Sequence, residues 1–252
     1  MIATLLLAAC SGGAGSAPRS GGSLSPLPTT TQAPTDSANG GPQQPGSPAD
    51  LPPGVPASFG RDVEPGDLPS ERLVPRGSEV TGTAFPGEST AIVTWAVGKD
   101  PFRREHGLVV WRRTAGADPP WLATYAFREP PAKAVLGIQV DAADATGDGE
   151  ADALVFASVG GSGVCGTWRL IALAPGDDRT TFERDLCDAT VAFSAVPVGL
   201  LVTELIFGPA DPHCCPSGSK ASTLVWRGSR WRVAAVDRSA ADPANGGVGA
   251  PG

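Results

Sequence analysis

The brevity of the apolar runs is what most narrows the folds open to this chain. "TAIVTWAV", "GLVVWRR", "WLATYAF", "VLGIQVD", "DALVFASV", "TWRLIALA", "TFERDL", "GLLVTELIF", "STLVWR" and "RWRVAAV" follow one another from Thr90 to Val236, separated by stretches rich in Gly, Pro and Asp. Their Val, Ile, Thr and aromatic side chains suit a pleated, half-buried surface. None sustains the 3.6-residue period of an amphipathic helix. The pattern predicts an all-β domain, a compact twisted antiparallel sheet or sandwich.

An internal repeat organises the runs. "GESTAIVTWAVG" from Gly87 and "GEADALVFASVG" from Gly149 share Gly, Glu, Ala, Val, Val and Gly at an offset of 62 residues, and the same offset sets Leu108-Val109-Val110-Trp111 on Leu170-Ile171-Ala172-Leu173 without a gap. A looser third copy starts at "LLVTELIFG". Two to three hairpin repeats are expected, each a strand, a long loop, a strand, a short turn and a strand. Antiparallel neighbours reverse at each connection, so "KDPFRREH", "GSGVCGT" and "PADPHCCPSGSK" should share one end of the sheet. The loop "DATGDGEAD" should lie at the other. Three units are too few to close a propeller.

Before the repeats, residues 10–75 are mostly Gly, Ser, Pro, Thr, Ala and Gln, too poor in apolar surface to offset the entropy of ordering. They read as a disordered tether, residues 76–238 as the folded domain and residues 239–252 as a disordered tail. Residues 1–9 form an apolar run too short to span a bilayer. Its end, Leu7-Ala8-Ala9-Cys10 followed by small polar residues, resembles the lipobox of bacterial lipoprotein signal peptides. That resemblance implies cleavage before Cys10, lipidation of its thiol and a protein held on the outer face of the plasma membrane. A net charge of −7 and a pI near 4.8, with no run of Lys and Arg, argue against a nucleic-acid partner.

In "DATGDGEAD" the residues Asp144, Thr146 and Asp148 occupy positions one, three and five of a curled loop. Gly149 supplies the turn, the Glu150 carbonyl falls at seven and Asp152 at nine. Oxygen donors at that spacing suit Ca²⁺. Position twelve is Val155 where an EF-hand needs Glu, so no helix-loop-helix site is expected. The loop resembles the calcium loop of FG-GAP and VCBS-type β repeats through Asp144, Gly147, Asp148, Gly149, Asp152 and the strand "ALVFASV". Thr146 departs from that pattern by standing in for a stronger ligand. The resemblance implies a structural calcium ion in an extracellular binding or adhesion module.

Four cysteines remain after lipidation: Cys165, Cys187, Cys214 and Cys215. In an oxidising compartment they imply disulfides, with three connectivities open. Cys165 and Cys187 fall at the same end of the sheet and pair easily; Cys214 and Cys215 then close a vicinal ring, unless each takes one of the others. The segment "DPHCCPSG" is similar to Cys-Cys-Pro segments of LppP/LprE-type lipoproteins, which implies location more than activity. His213, Cys214 and Cys215 could instead make a soft-metal or redox site.

No Gly-x-Ser-x-Gly, Ser-x-x-Lys or phosphate-cradling loop is present, and only His106 and His213 could serve as imidazole bases. The chain therefore reads as a monomeric, lipid-anchored surface module that binds an envelope protein or glycan, with a hydrolase as the alternative. Arg103, Arg104, His106 and His213, on the long loops, are the expected binding surface.

Overall fold

The computed structural model describes residues 51–160, 164–209, 211–212 and 215–240. Its strands are β1 (Ser58–Phe59), β2 (Glu79–Gly87), β3 (Thr90–Val97), β4 (Glu105–Arg113), β5 (Trp121–Glu129), β6 (Val135–Ala143), β7 (Asp152–Val159), β8 (Cys165–Ala172), β9 (Arg179–Cys187), β10 (Ala189–Ala195), β11 (Val198–Ile206), β12 (Gly218–Trp226) and β13 (Trp231–Ala240). The fold is all-β, and it consists of three antiparallel sheets rather than one. Their orders are β1-β5-β4-β3-β2, β6-β7-β8-β9 and β10-β11-β12-β13.

Each repeat thus has four strands in a meander, not three. The additional strands are β2 in the first unit and β10 in the third. β2 alternates exposed and partly buried residues, and β10 buries only Ala189 and Val191 between exposed positions, so neither shows the dense apolar run that marks the inner strands. The 62-residue offset survives in space: β3 maps onto β7 end to end.

The offset also maps one face onto the next. Ala91, Val93, Val109 and Trp111 belong to the outer layer of the first sheet, whereas their counterparts Ala153, Val155, Ile171 and Leu173 form the face that the second sheet turns to the first. Ile92 and Leu108 pack against the second sheet; Leu154 and Leu170, again 62 residues on, pack against the third. The three sheets therefore stack in sequence order, each junction formed by one face from each of the two sheets that meet there.

Two ion-pair clamps hold the first junction. At the short-turn end, Arg112 on β4 donates to both carboxylate oxygens of Asp178, to Thr90 and to the Leu173 carbonyl, while Thr124 also donates to Asp178. At the long-loop end, Glu129 on β5 pairs with Arg169 on β8. Among the described residues the second junction has no such ion pair and relies on the apolar layer of Leu154, Leu170, Phe182, Leu200, Val202 and Leu224.

The composition-based boundary at residue 76 falls too late. Residues 51–75 are folded against the outer face of the first sheet, where Phe59, Leu68, Leu73 and Val74 are buried on Trp95, Trp111 and Trp121. Ala123 N–H donates to the Ala57 carbonyl, Trp121 Nε1 to the Val63 carbonyl, and Arg113 pairs with Asp62 and Glu64. At the other terminus β13 reaches Ala240, two residues into the expected tail.

Candidate functional site

The β6–β7 loop is built by its own carboxylates. Asp144 accepts from the Gly147 and Gly149 N–H groups at 2.6 and 3.0 Å, and Asp148 accepts from Glu150 N–H at 2.9 Å. Gly147 and Gly149 have φ of 78° and 90°, a left-handed backbone that glycine adopts without strain. Asp152, at the start of β7, is fully buried and accepts from Ala145 and Thr146 N–H, both at 2.9 Å, through one oxygen.

The second Asp152 oxygen, Oδ1, and the Thr146 hydroxyl are also buried and make no aligned hydrogen bond, although the hydroxyl lies close enough to the carboxylate to help hold its pKa down. Burial raises the Asp152 pKa; the two backbone donors oppose that rise and the negative charge of Asp148 adds to it. In donor chemistry the loop fits a hard cation, since every candidate atom is oxygen and two of them are buried without an aligned hydrogen bond. Among the described residues, however, no three His, Cys, Asp or Glu side chains converge closely enough to hold a metal as they stand. Asp144 and Asp148 are turned onto backbone N–H groups instead, so a cation would have to use their remaining lone pairs or turn Asp148 inward from its exposed position. Glu150 is exposed and offers its carbonyl.

The opposite end carries the long loops, as the antiparallel reversal requires. Arg103 is exposed in the β3–β4 loop beside Phe102, and Arg104 is half-buried in an ion pair with Glu79. His106 is not on this surface: it is 2% exposed, and neither ring nitrogen has a partner. The reason is strand alternation. His106 shares the parity of Leu108 and Val110 on β4, and that face packs on the second sheet. Burial lowers its pKa, and the Arg104 guanidinium lowers it further.

Directly opposite His106 on β5 stands Glu129, 1% exposed, which pairs with Arg169 and, at 2.9 Å, with Lys133. The Arg169 contact is an ion pair without the alignment of a hydrogen bond. Arg169 donates from Nε to Glu183 at 2.8 Å and lies 4.7 Å from the Phe127 ring centroid. Along β8 and β9 the cross-strand pairs Arg169·Glu183, Thr167·Asp185 and Cys165·Cys187 form a polar ladder that ends in a disulfide. Sequence reasoning missed Glu129, Lys133, Arg169 and Glu183, because what joins them is the stacking of two sheets. The one local signal was the i, i+4 spacing of Glu129 and Lys133.

Cys165 and Cys187 are bonded to each other. Cys215 is described and exposed. Cys10, His213 and Cys214 lie outside the described residues, and with them the expected lipidation position and the rest of the alternative soft-metal cluster. A cavity of about 280 Å³ opens between β2–β3 and β6, lined by Thr83, Ala84, Ile92, Thr94, Ile138 and Gln139 among others. It contains no ionisable side chain and joins neither the aspartate loop nor the Glu129 cluster. Compared with family models, curated proteins and solved structures, the chain finds no match.

Proposed function

We propose that this chain is a lipid-anchored, extracytoplasmic β module of a bacterial envelope that presents its long-loop end to an envelope protein or glycan and takes calcium as a structural ion in the Asp144–Asp152 loop. The observation that carries the compartment is the Cys165–Cys187 disulfide, since such bonds persist where the surroundings are oxidising. Calcium is supported by the buried Asp152 Oδ1 and Thr146 Oγ1, which make no aligned hydrogen bond. A cation there would neutralise a carboxylate that the fold otherwise buries at a cost. Asp144, Thr146, Asp148 and Asp152, with the Glu150 carbonyl, would hold it, and the ion would fix the turn into β7. The long-loop end supplies exposed Phe102, Arg103 and Val164 as contact groups.

Thermal unfolding of the full chain in calcium and in chelator, beside Asp148→Ala, tests the ion. Calcium at a hundred times its dissociation constant adds about 2.7 kcal/mol, several degrees in Tm for a domain of this size. Asp148 is exposed, so its loss should abolish the response without unfolding the protein. An identical Tm in calcium and chelator would remove the metal from the reading. Cys10→Ala tests the anchor: the protein should leave the membrane fraction, and retention there would remove the lipid.

A further inference from the structure

We propose that β13 is a homodimerisation edge, at which two copies of this chain pair antiparallel and join their third sheets into one continuous eight-stranded sheet. The partner is a second copy because the strand is complementary to itself. Its sequence from Trp231 to Arg238 is "WRVAAVDR". Set antiparallel against a copy about a two-fold axis between Ala234 and Ala235, Trp231 faces Arg238, Arg232 faces Asp237, Val233 faces Val236 and Ala234 faces Ala235. Each pair occurs twice. They are a cation–π contact, a salt bridge and two apolar pairs, the kinds of cross-strand neighbour that stabilise a sheet.

The register within the subunit makes this pairing possible. In a regular strand Arg232 and Asp237, five residues apart, would point to opposite faces. A bulge lies between the pairs Leu224·Val233 and Thr223·Ala235, so Ala234 is an extra residue. Beyond it, Arg232 and Asp237 stand opposite Val225 and Ala221, which share one face of β12. Val233 and Val236 stand opposite Leu224 and Ser222, on the other face. Trp231 and Arg238 stand opposite Trp226 and Lys220, again on that second face. The bulge therefore sits at the centre of the palindrome and brings the Trp231·Arg238, Arg232·Asp237 and Val233·Val236 pairs into facial agreement.

The edge is also open. Apart from half-buried Trp231, every β13 residue is exposed, with Val233 at 60% and Val236 at 48%. Among the described residues, none forms an ion pair with Arg232, Asp237 or Arg238. The strand is ten residues long and carries neither Lys nor Pro; its charges, Arg232, Asp237 and Arg238, are of both signs and so suit a second copy rather than repel it. On the corresponding edges of the other two sheets, β5 is partly covered by β1, and β9 carries Arg179, Glu183, Arg184 and Asp185 without the self-complementary order of β13. This inference is independent of calcium and of the anchor.

Sedimentation equilibrium on the full chain, with charge reversals, tests it. Wild type should reach twice the chain mass of 25.4 kDa. Arg232→Asp and Asp237→Arg, made singly, turn two attractions into two repulsions and should each weaken the dimer by about tenfold or more. The double variant Arg232→Asp/Asp237→Arg restores both pairs in reversed sense and should recover the dimer, a result that misfolding could not produce. A monomeric wild type, a dimer that survives both single reversals, or a double variant no tighter than the singles would each overturn the proposal.

Discussion

The stack has two terminal faces, and they are built differently. The outer face of the first sheet presents Trp95, Trp111 and Trp121, and residues 51–75 cover it completely. The far face of the third sheet presents Leu201, Thr203, Ala221 and Thr223, none fully buried. Where the chain supplies its own cover, the sheet carries its largest apolar side chains. Where it does not, the same kind of strand carries no aromatic residue among these positions and sets Leu201 among small and hydroxylated neighbours, which meet water at little cost. Repeats that stack in a line always leave two ends, and this protein solves one by a cap and the other by composition.

Removing the cap should have the largest effect. A chain lacking residues 51–75 exposes three tryptophans that are now fully buried, so it should lose cooperative unfolding by circular dichroism. If it unfolded with an unchanged midpoint, the cap would be decoration and the contrast between the faces would collapse. A matched pair of lysine substitutions is the next test. Ala123→Lys buries an unpaired ammonium under the cap and should cost about 3 kcal/mol or more. Ala221→Lys, opposite Asp237 on the bare face, should stay within about 0.5 kcal/mol. Equal costs in denaturant titrations would contradict the difference in burial.

The smallest effect concerns pH. His106 is sealed between sheets with its pKa depressed, so the unfolded chain binds this proton more readily than the folded one. The stability it permits is fully present above the unfolded pKa of about 6.5 and falls as pH drops from there toward the folded value, by up to about 1.4 kcal/mol per pH unit. Below the folded value the loss is complete and the dependence flattens. His106→Leu should flatten the profile between pH 7 and 5, and an unchanged profile would point to other groups. Among the described residues the bare face buries no histidine and contributes no such term.

Much of this architecture was legible in the sequence. The apolar runs became inner and outer strands, and the 62-residue offset became the relation between successive sheets. What escaped notice escaped for physical reasons. Leu51, Val55, Phe59, Val63, Leu68 and Leu73 are scattered singly through a Pro- and Gly-rich stretch, and each resembles a stray apolar residue until the tryptophan face that collects them is seen. Edge strands β2 and β10 bury little, so composition did not announce them. The Asp144–Asp152 loop was identified by spacing, but its use of Asp144 and Asp148 to hold backbone N–H groups depends on backbone direction, which spacing does not encode. Glu129 and Arg169 lie on strands of different sheets, and no pattern within either strand pairs them.

The cap has a mechanical consequence. Its chain is continuous with the N-terminal segment, so a pull from the N-terminal side reaches residues 51–75 first. Those residues are held by side-chain packing, scattered hydrogen bonds and a two-residue bridge to β5, contacts that break in succession rather than together. The meander strands behind them present full ladders. Extension between residues 51 and 240 should therefore show a small early yield before the main rupture, and a single rupture would mean the cap bears load with the sheets. The strip of chain that waterproofs the first sheet would then also act as the molecule's shock absorber.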